Sequence, residues 1–322
     1  MSLLVIHRRL KQHTFALKPE ELILLKNEAP DFLVRYVNYE ETTEEQLKEA
    51  EVIFGWPDVK RLHLAKKLKW LHAPSAGVEA YADLRLYANP EIIITRAAGI
   101  FGSQIAEHVM MLFLALSRGM IECVQSTVEG EWIDLAPKRE LSGSTVLIVG
   151  TGSIGSELAK HLQGFNCRII GIKRDVSVPP PYFDEIYRDS ELDEHLPRAD
   201  YVSLCLPFTS DTEAMFDYRR FKLMKSTGII ANVGRGNSIV TNDLNRALRE
   251  GLIAGAGLDV TEPEPLPKEH PLWSAPNIII TPHISGLCTD LNRRRFDMFF
   301  DLWKRYTKGL PLCNVFDFSK GY

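Results

Sequence analysis

The stretch Val146-Leu-Ile-Val-Gly150-Thr-Gly152-Ser-Ile-Gly155-Ser-Glu-Leu-Ala159 decides the fold of this 322-residue chain. An apolar run typical of a β-strand is followed by three glycines in the pattern G-x-G-x-x-G and then by helix-forming residues. In that context the first glycine allows a tight turn, the second lets the backbone approach a pyrophosphate, and the third lets the helix pack closely on the strand. Phosphate then binds to the unpaired N–H groups at the start of the helix. The predicted dinucleotide-binding residues of this turn are Gly150, Gly152, Ser153, Ile154 and Gly155.

The end of the next predicted strand bears on which dinucleotide binds. About twenty residues after the turn, the fingerprint expects an Asp or Glu that holds the ribose hydroxyl. Lys173 stands at that position, and Arg174 adds a second positive charge where a 2′-phosphate would lie. The pair predicts a preference for NADP(H) over NAD(H). The alternative is that Asp175 binds the ribose while both cations are merely solvated.

Outward from this turn, short β-type runs alternate with helical patterns, which predicts βαβ units and parallel sheets. The predicted strands are 3–7, 33–37, 52–54, 69–72 and 92–95, then 145–149, 167–172, 201–206, 228–233, 254–259 and 277–281. Helices are predicted to begin near Pro19, Thr43 and Asp58, and another covers 290–308. Between the two series, one long helical segment is predicted over 102–129. The chain is therefore predicted to be an α/β protein.

Length and composition agree with two soluble domains. Single cores stop growing near roughly 250–300 residues, so 322 residues favour a division into two domains. Hydrophobic residues at 45% and charged residues at 25% are ordinary for globular proteins, which argues against disorder. The net charge of −4 comes from interspersed signs. Because no basic stripe is present to neutralise a phosphate backbone, nucleic acid is not an expected partner.

Cysteine, histidine and apolar patterns exclude further classes of protein. The five cysteines are odd in number and contain no C-x-x-C pair, which predicts reduced thiols in a cytoplasmic protein. The apolar run 2–6 is too short for the core of a signal peptide. The segment 109–116 is far below the roughly 20 residues needed to span a bilayer, so no membrane association is expected. The histidines lack ligand spacing, and no metal site is predicted.

Polar side chains follow three successive strands of the second predicted series: Arg235, then the two carboxylates Glu262 and Glu264, then His283. Glycines on both sides clear space around Arg235, prolines stiffen the loop that carries Glu264, and a proline precedes His283. In open α/β sheets, ligands bind beyond the carboxyl ends of the strands. We therefore expect the three side chains to lie at one edge of the sheet, beside the dinucleotide.

These three groups supply what the reduction of a 2-keto acid requires. Arginine can clamp the carboxylate and polarise the keto oxygen through its planar fork. An imidazolium can donate the proton that the developing alkoxide needs, and an adjacent carboxylate stabilises that charged form and fixes its tautomer. The hydride comes from the nicotinamide. Arg235, one of the carboxylates Glu262 and Glu264, and His283 are therefore predicted to be catalytic.

Taken singly, each feature has a plainer explanation. A glycine-rich turn needs no ligand, a histidine after a strand is more often structural, and a glutamate in a proline-rich loop is usually solvated. Their occurrence after successive strands, downstream of a dinucleotide fingerprint, favours the functional interpretation.

These motifs resemble the D-isomer-specific 2-hydroxyacid dehydrogenase family. The resemblance rests on the glycine turn together with Asn232-Val-Gly-Arg-Gly236, Gly257-Leu-Asp-Val-Thr-Glu-Pro-Glu-Pro-Leu-Pro267 and Thr281-Pro-His-Ile-Ser-Gly286. Further matching stretches are 204–209 with Thr212, 224–231, 270–273, 71–78 and 310–322. Similarity therefore extends over nearly the whole chain.

The resemblance implies a Rossmann doubly wound parallel sheet over 98–286 and a flavodoxin-like α/β substrate domain formed by 1–97 and 287–322. It implies Arg235 as the substrate clamp, Glu264 as the partner of the histidine and His283 as the acid/base, with Glu262 left to the surface loop. The predicted cofactor site also includes Lys173, Arg174, Pro207, Thr212, Val233, Asp259 and Gly286. Backbone N–H groups at Ala76, Gly77 and Val78 are implied to bind the substrate carboxylate.

The basic pair Lys173 and Arg174 resembles the glyoxylate and hydroxypyruvate reductase branch, while Glu264 disfavours formate dehydrogenases, which carry Gln there. The expected activity is hydride transfer between NAD(P)H and C2 of a small 2-keto or 2-hydroxy acid of the D series. The alternative is a nonenzymatic dinucleotide-sensing protein, which has no need of the arginine, glutamate and histidine together.

Family members commonly pair as homodimers through the Rossmann domain, which suits an apolar helix over 109–116. Burial of that helix within one subunit suits the sequence nearly as well. Trp56, Phe101 and Trp273 are candidates for the walls of the substrate pocket, although each suits the core equally.

Overall fold

The computed structural model describes residues 2–9, 15–136, 138–318 and 321. The chain divides into two compact units, one formed by Met1–Ile100 with Leu287–Tyr322 and one by Phe101–Gly286. We call them the discontinuous unit and the central unit. Their boundaries fall beside the predicted boundaries of 97/98 and 286/287. Which unit binds substrate and which binds cofactor stays a prediction.

Each strand predicted from the sequence is present at its predicted place. The strands are β1 Ser2–Arg8, β2 Phe32–Asn38, β3 Ala50–Phe54, β4 Trp70–Ala73, β5 Ile93–Arg96, β6 Thr145–Val149, β7 Arg168–Lys173, β8 Glu185–Arg188, β9 Tyr201–Leu204, β10 Ile229–Asn232, β11 Gly255–Leu258 and β12 Ile278–Ile280. The α-helices are α1 Pro19–Glu28, α2 Glu44–Glu49, α3 Gly102–Ser117, α4 Met120–Glu129, α5 Ser153–Leu162, α6 Leu192–His195, α7 Tyr218–Leu223, α8 Thr241–Arg249 and α9 Leu291–Thr307.

The discontinuous unit contains a parallel five-stranded sheet in the order β2-β1-β3-β4-β5. This is the flavodoxin-like order of a doubly wound fold. Successive residues of β1 alternate between two apolar clusters, because side chains of a strand point to opposite faces of the sheet. Leu3 and Val5 belong to one cluster, and Leu4 and Ile6 belong to the other.

Helix α9 completes the second of these clusters. Its Phe299 ring stacks on Phe54 of β3 with centroids 3.9 Å apart, and it also stacks on Trp70 of β4 at 5.3 Å. Trp303 lies one helical turn further along α9 and is fully buried in the same cluster. The last helix of the chain therefore supplies core side chains to a sheet built from the first hundred residues.

The central unit contains a parallel seven-stranded sheet in the order β12-β11-β10-β9-β6-β7-β8. Counted within the unit, this is the Rossmann order 3-2-1-4-5-6 with one more strand beyond the sixth. The prediction of a Rossmann doubly wound sheet plus a flavodoxin-like α/β domain is confirmed. Because β6 lies where the strand order reverses, its carboxyl end is the expected ligand-binding crevice.

The prediction of one uninterrupted helical segment over 102–129 is wrong. Two helices, α3 and α4, meet at an angle of 71°. Gly119 lies between them in the left-handed conformation with φ +70°. Because a left-handed residue cannot continue a right-handed helix, the helix ends there and a new one begins. The glycine was the signal for this break.

Two smaller predictions also differ from the structure. No strand is predicted from the sequence at β8, a short edge strand whose Glu185 is paired with Arg168 and Arg198. Charged edge strands lack the apolar run by which a buried strand is recognised. The helix predicted near Asp58 is a short 3₁₀ helix, Val59–Leu64, capped by a hydrogen bond from Lys60 N to Asp58 Oδ1 at 3.0 Å.

Helix α3 is buried within the central unit. Val109, Leu112, Phe113 and Leu116 are all at most 4% exposed. A Cβ atom added to Gly257 of β11 would lie 2.9 Å from Leu112 Cβ, so this glycine allows β11 and α3 to pack closely. Within the described part of the chain, no single helix could cross a membrane, and only the bent pair α3 and α4 passes on length and composition. All five cysteines are free thiols, as expected.

Candidate active site

The glycine turn between β6 and α5 has two positions that only glycine can occupy. Gly150 has φ +97°, and a Cβ atom there would lie 2.6 Å from the carbonyl oxygen of Cys205. A Cβ atom at Gly155 would lie 2.1 Å from the carbonyl oxygen of Gly150. These distances explain the first and third glycines by packing within the protein.

Gly152 is different, because a Cβ atom there would meet no described protein atom within 4 Å. Packing within the protein therefore does not demand a glycine at this position, whereas a closely approaching ligand would. Ser153, Ile154 and Gly155 lie in the first turn of α5. The backbone N–H groups of a first turn have no acceptor within the helix. Open space before a helix N-terminus fits the pyrophosphate of a dinucleotide.

Two positive side chains stand at the carboxyl end of β7. Lys173 ends the strand, and its Nζ donates to the carbonyl oxygen of Val178 at 3.0 Å. Arg174 and Asp175 follow as exposed residues. Asp175 Oδ1 accepts a hydrogen bond from Ser177 N at 2.9 Å, and this bonding to Ser177 holds the pKa of the Asp175 carboxyl below its ordinary value. The carboxylate is thus engaged in its own turn.

The loop after β9 is held by its own threonine. The Thr212 hydroxyl donates to the carbonyl oxygen of Pro207 at 2.8 Å and accepts from Thr209 N at 2.9 Å. Thr212 is buried, whereas Pro207 is partly exposed. Thr212 therefore stabilises the conformation of its own loop. The cofactor contact predicted for Thr212 stays a prediction.

Val233 and Gly286 occupy two other strand ends of the predicted cofactor site. Val233 is buried, and its N–H donates to the carbonyl oxygen of Leu204 at 3.2 Å. The carbonyl oxygen of Gly286 accepts from Gln104 Nε2 of α3 at 3.3 Å. Both residues lie in the central unit with the glycine turn.

The loop that carries Arg235 is shaped by Asn232, a buried residue that the sequence reasoning did not single out. Asn232 Nδ2 donates to the carbonyl oxygen of Arg235 at 2.9 Å, and its Oδ1 accepts from Gly234 N at 3.1 Å. Arg235 Nη1 donates to the carbonyl oxygen of Gly234 at 2.7 Å. The Arg235 side chain is half-buried, and the backbone of its loop is held by the hydrogen bonds of Asn232.

Glycines on both sides of Arg235 permit close packing of three loops. A Cβ atom at Gly234 would lie 2.5 Å from the carbonyl oxygen of Leu206. One at Gly236 would lie 2.0 Å from the carbonyl oxygen of Thr261. The arginine loop therefore lies directly against the start of the loop that carries Glu264.

Glu264 and His283 are in direct contact. Glu264 Oε1 lies 2.7 Å from His283 Nδ1, and both side chains are 43% exposed, so the pair is accessible to a ligand. Because a carboxylate can only accept, Nδ1 carries the hydrogen of this contact. His283 has φ +54° and donates its N–H to the carbonyl oxygen of Asp259 at 2.9 Å. Glu262 is exposed in the same loop.

Asp259 organises the turn that carries His283. Its Oδ1 accepts from Thr281 Oγ1 at 2.6 Å and from Ile284 N at 2.9 Å, and its Oδ2 accepts from Ser285 N at 2.9 Å. Burial alone would raise the pKa of Asp259, but these hydrogen bonds outweigh it and hold the pKa below its ordinary value. The Asp259 carboxylate, which the resemblance places in the cofactor site, thus hydrogen-bonds the backbone of the turn that carries His283.

His108 of α3 extends this network and was missed by the sequence reasoning. Its Nε2 lies 2.9 Å from Thr281 Oγ1 and 3.7 Å from Asp259 Oδ1. Burial lowers the pKa of His108, against the opposing effect of the Asp259 charge. Because Thr281 gives its hydrogen to Asp259, His108 Nε2 donates to Thr281. A histidine in an apolar helix carries no signal of such a contact in the sequence.

The predicted substrate-binding residues Ala76, Gly77 and Val78 lie in the discontinuous unit, on the loop after β4. Ala76 and Gly77 are partly exposed, and Val78 is buried. Among hydrogen bonds between described residues, none is donated by the backbone N–H of these three. Three adjacent N–H groups are thus available to an anion.

The central unit therefore brings Glu264 and His283 into contact, and packs the Arg235 loop against the Glu264 loop. The described residues contain no group of three or more His, Cys, Asp or Glu side chains that could hold a metal ion. Acid/base chemistry beside a dinucleotide is what this arrangement can perform.

Residues 110–285 match the family described as D-isomer specific 2-hydroxyacid dehydrogenase, NAD binding domain. The chain belongs to the D-isomer-specific 2-hydroxyacid dehydrogenase family. A glyoxylate reductase from Thermofilum pendens (strain DSM 2475 / Hrk 5) is 32% identical over 250 residues, which cover 75% of this chain and 72% of that protein. The predicted membership is thereby confirmed, and this dehydrogenase is an NAD(P)-dependent enzyme; the nonenzymatic alternative is not favoured.

Solved structures of the family superpose on nearly the whole chain. A D-isomer specific 2-hydroxyacid dehydrogenase family protein from Aeromonas salmonicida subsp. salmonicida A449 has a TM-score of 0.85 at 32% identity, covering 98% of this chain and 99% of that chain. An NADPH-dependent glyoxylate/hydroxypyruvate reductase from Sinorhizobium meliloti, solved with NADP and sulfate, has a TM-score of 0.82 at 27% identity, covering 100% of both chains.

Proposed function

We propose that this dehydrogenase reduces glyoxylate, hydroxypyruvate or a closely similar small 2-keto acid to the D-2-hydroxy acid, with NADPH as the preferred reductant. The observation that carries the proposal is the 2.7 Å contact between Glu264 Oε1 and His283 Nδ1 on a loop packed against that of Arg235. The similarity to a glyoxylate reductase and to an NADPH-dependent glyoxylate/hydroxypyruvate reductase supports the substrate class.

His283 is the proton donor in this proposal. Its Nδ1–H is held by Glu264, so the ring presents Nε2 to the keto oxygen and transfers a proton as negative charge develops there. Glu264 stabilises the imidazolium before the transfer. Arg235 polarises the keto oxygen and clamps the substrate. A nicotinamide bound beside these residues would supply the hydride to C2.

The substrate carboxylate is proposed to bind the backbone N–H groups of Ala76, Gly77 and Val78. These N–H groups donate to no acceptor among the described residues, which supports the assignment that the resemblance implied. Three convergent N–H donors are the means by which backbone binds an anion.

NADPH is preferred in this proposal because Lys173 and Arg174 stand at the end of β7, where the 2′-phosphate would lie. Charge-assisted hydrogen bonds from these cations would favour the phosphate over a free hydroxyl. The engagement of Asp175 with Ser177 supports this over binding of the ribose by Asp175. A lower apparent Kd for NADH than for NADPH would contradict the proposed preference for NADPH.

A homodimer is also proposed, but its surface is revised. Most apolar residues of helix α3, which suited the dimer in sequence, are buried within the central unit. A set of exposed apolar residues begins on α3 and continues on α4 and the segment that follows. They are Met111, Met120, Val124, Val128 and Trp132. A row of this kind on a soluble chain marks a protein interface.

The experiment is oxidation of NADPH, followed by absorbance, with a panel of 2-keto acids that includes glyoxylate, hydroxypyruvate and pyruvate. Replacing His283 by Ala should lower kcat by at least about a hundredfold, because general acid catalysis is lost. Glu264→Gln should lower it about tenfold or more, while Glu262→Gln, in the same loop and exposed, should leave it unchanged.

No turnover with any keto acid would contradict the proposal and favour a dinucleotide sensor. Equal losses in Glu264→Gln and Glu262→Gln would contradict the role of Glu264 specifically. NADPH binding, measured separately by fluorescence, should persist in all three variants.

A further inference from the structure

Five consecutive carbonyl groups of the loop after β4 each accept a hydrogen bond within the discontinuous unit. The carbonyl oxygens of Pro74, Ser75, Ala76, Gly77 and Val78 accept, in that order, from Arg295 Nε at 2.8 Å, Ala97 N at 3.0 Å, Arg96 Nη1 at 3.4 Å, Ser75 Oγ at 2.8 Å and Tyr81 N at 2.8 Å. The loop is thus fixed along one edge of its backbone.

Fixing a carbonyl also fixes the next N–H. In a planar trans peptide the C=O of one residue and the N–H of the following residue point in opposite directions. A donor on the carbonyl of Gly77 therefore aims the N–H of Val78 away from that donor. The same relation holds for Ser75 with Ala76 and for Ala76 with Gly77. The N–H groups of Ala76, Gly77 and Val78 are aimed by these carbonyl partners.

The Ser75 side chain hydrogen-bonds one of these loop carbonyls, that of Gly77. The donor and acceptor roles of its hydroxyl are fixed by its second partner, Trp56. Trp56 Nε1 lies 3.2 Å from Ser75 Oγ. Because an indole N–H can only donate, Ser75 Oγ accepts from Trp56 and gives its own hydrogen to the carbonyl oxygen of Gly77. The relay from Trp56 through Ser75 therefore sets the orientation of the peptide between Gly77 and Val78.

Arg295 of α9 contacts both Trp56 and the first residue of the loop, Pro74. It is 3% exposed, its guanidinium lies 5.5 Å from the Trp56 ring centroid, and its Nε donates to the carbonyl oxygen of Pro74. A cation over an indole face is an attractive arrangement, and it limits the movement of the ring. Arg295 thus holds both Trp56 and the start of the loop.

We propose that Trp56 and Ser75 are positioning residues for recognition of the substrate carboxylate, because they aim the N–H of Val78 at the anion. The inference rests on the proposed function, which assigns the carboxylate to Ala76, Gly77 and Val78. The ligand class is a small carboxylate. Because both residues act through the backbone of the loop, the effect belongs to substrate binding and leaves the chemical step unchanged.

The test compares Ser75→Ala, Ser75→Thr and Trp56→Phe in the full-length enzyme. In Ser75→Ala and Trp56→Phe, KM for glyoxylate should rise about tenfold, which corresponds to one weakened hydrogen bond to a charged group. The kcat and the Kd for NADPH should stay within about twofold. Ser75→Thr keeps the hydroxyl and should restore KM.

Ser144→Ala is the matched control, because the Ser144 hydroxyl also donates to a backbone carbonyl, that of Glu140 at 3.0 Å, but in the central unit. Its KM should not change. An unchanged KM in Ser75→Ala, a KM in Ser75→Thr as high as in Ser75→Ala, or a parallel loss of kcat and NADPH affinity would overturn the proposal.

A binding measurement separates this proposal from the proposed function. Calorimetric titration of oxalate into the enzyme with NADP⁺ should show binding to the wild type and about tenfold weaker binding to Ser75→Ala. If no keto acid is reduced while this difference is found, the proposed function fails and the positioning role stands. Equal affinities, or no binding to the wild type, would overturn the positioning role.

Discussion

At the scale of single residues, Asp259 connects the parts of the candidate site. Its carboxylate accepts hydrogen bonds from the backbone N–H groups of Ile284 and Ser285, which follow His283. It also accepts from the Thr281 hydroxyl, which in turn accepts from His108. Its own carbonyl oxygen accepts the His283 N–H. The imidazole is therefore placed by a residue whose side chain never touches it.

Replacing Asp259 by Asn should lower kcat about tenfold to a hundredfold. One carboxylate oxygen becomes an NH₂ group, which would face an N–H or O–H donor and displace the His283 turn. The Kd for NADPH should change by less than about threefold if the carboxylate serves the turn, and steady-state kinetics with fluorescence titration measures both. An unchanged kcat, or a large loss of NADPH affinity alone, would contradict this role.

The three candidate catalytic side chains could be singled out because polar residues follow strand ends, and the resemblance selected Glu264 over Glu262. The residues that support them could not. Asn232 and His108 act through hydrogen bonds to loop backbone, and those depend on where the loops lie after folding. The left-handed backbone of His283 had no sequence signal either, since the residue is not glycine.

At the scale of elements, the turn into α5 separates two uses of glycine. Gly155 is demanded by packing against the carbonyl oxygen of Gly150, whereas Gly152 has open space at its Cβ position. The same motif therefore contains two positions set by the fold, Gly150 and Gly155, and one that packing does not set, Gly152.

Gly152→Ala should fold normally, with Tm within about 2 °C of the wild type, because its Cβ meets no described protein atom within 4 Å. It should nevertheless weaken NADPH binding at least about tenfold, since the methyl group enters the phosphate space. Gly155→Ala should lower Tm by several degrees, because its Cβ would clash with backbone. Thermal unfolding and fluorescence titration of both variants decide. Equal Tm losses would refute the distinction.

Element boundaries were predictable where apolar runs are clear, as in β6, and less so elsewhere. The break between α3 and α4 depended on one left-handed glycine inside a helical pattern. The strand β8 is stabilised by ion pairs of Glu185 with two arginines, which a search for apolar runs does not detect.

At the scale of the whole molecule, the apolar row on α4 predicts self-association. Val128→Asp should convert the proposed dimer to monomers in sedimentation velocity, because a charge would be buried in the interface. Val128 is 84% exposed in the single chain, so the substitution should not lower Tm of the monomer itself. Val178→Asp is the control, since Val178 is 71% exposed elsewhere in the same unit. A monomeric wild type would disprove the dimer.

Acid should destabilise the discontinuous unit through two buried histidines. Burial lowers the pKa of His7 from 6.5 to about 4 and that of His72 from 6.5 to about 3. Between pH 6.5 and these values the unfolded chain binds protons that the folded chain does not. Stability is therefore complete above pH 6.5 and falls as the pH drops, by about 3 kcal/mol per histidine at pH 4.

His72→Asn checks this prediction. The side-chain amide can keep a hydrogen bond with Thr95 Oγ1, which lies 2.7 Å from His72 Nδ1, but it cannot titrate. Urea unfolding at pH 5 to 6.5 should show a shallower dependence of the unfolding free energy on pH, by about one proton. An unaltered slope would count against the burial argument.

Because the discontinuous unit is built from both ends of the chain, its order of assembly during synthesis is constrained. Residues 101–286 form one continuous block that can collapse as soon as it leaves the ribosome. The first hundred residues must wait for α9, since Phe299 and Trp303 fill the apolar layer over β3 and β4. A stalled nascent chain ending near residue 286 should hence protect its middle from protease while its first hundred residues are digested.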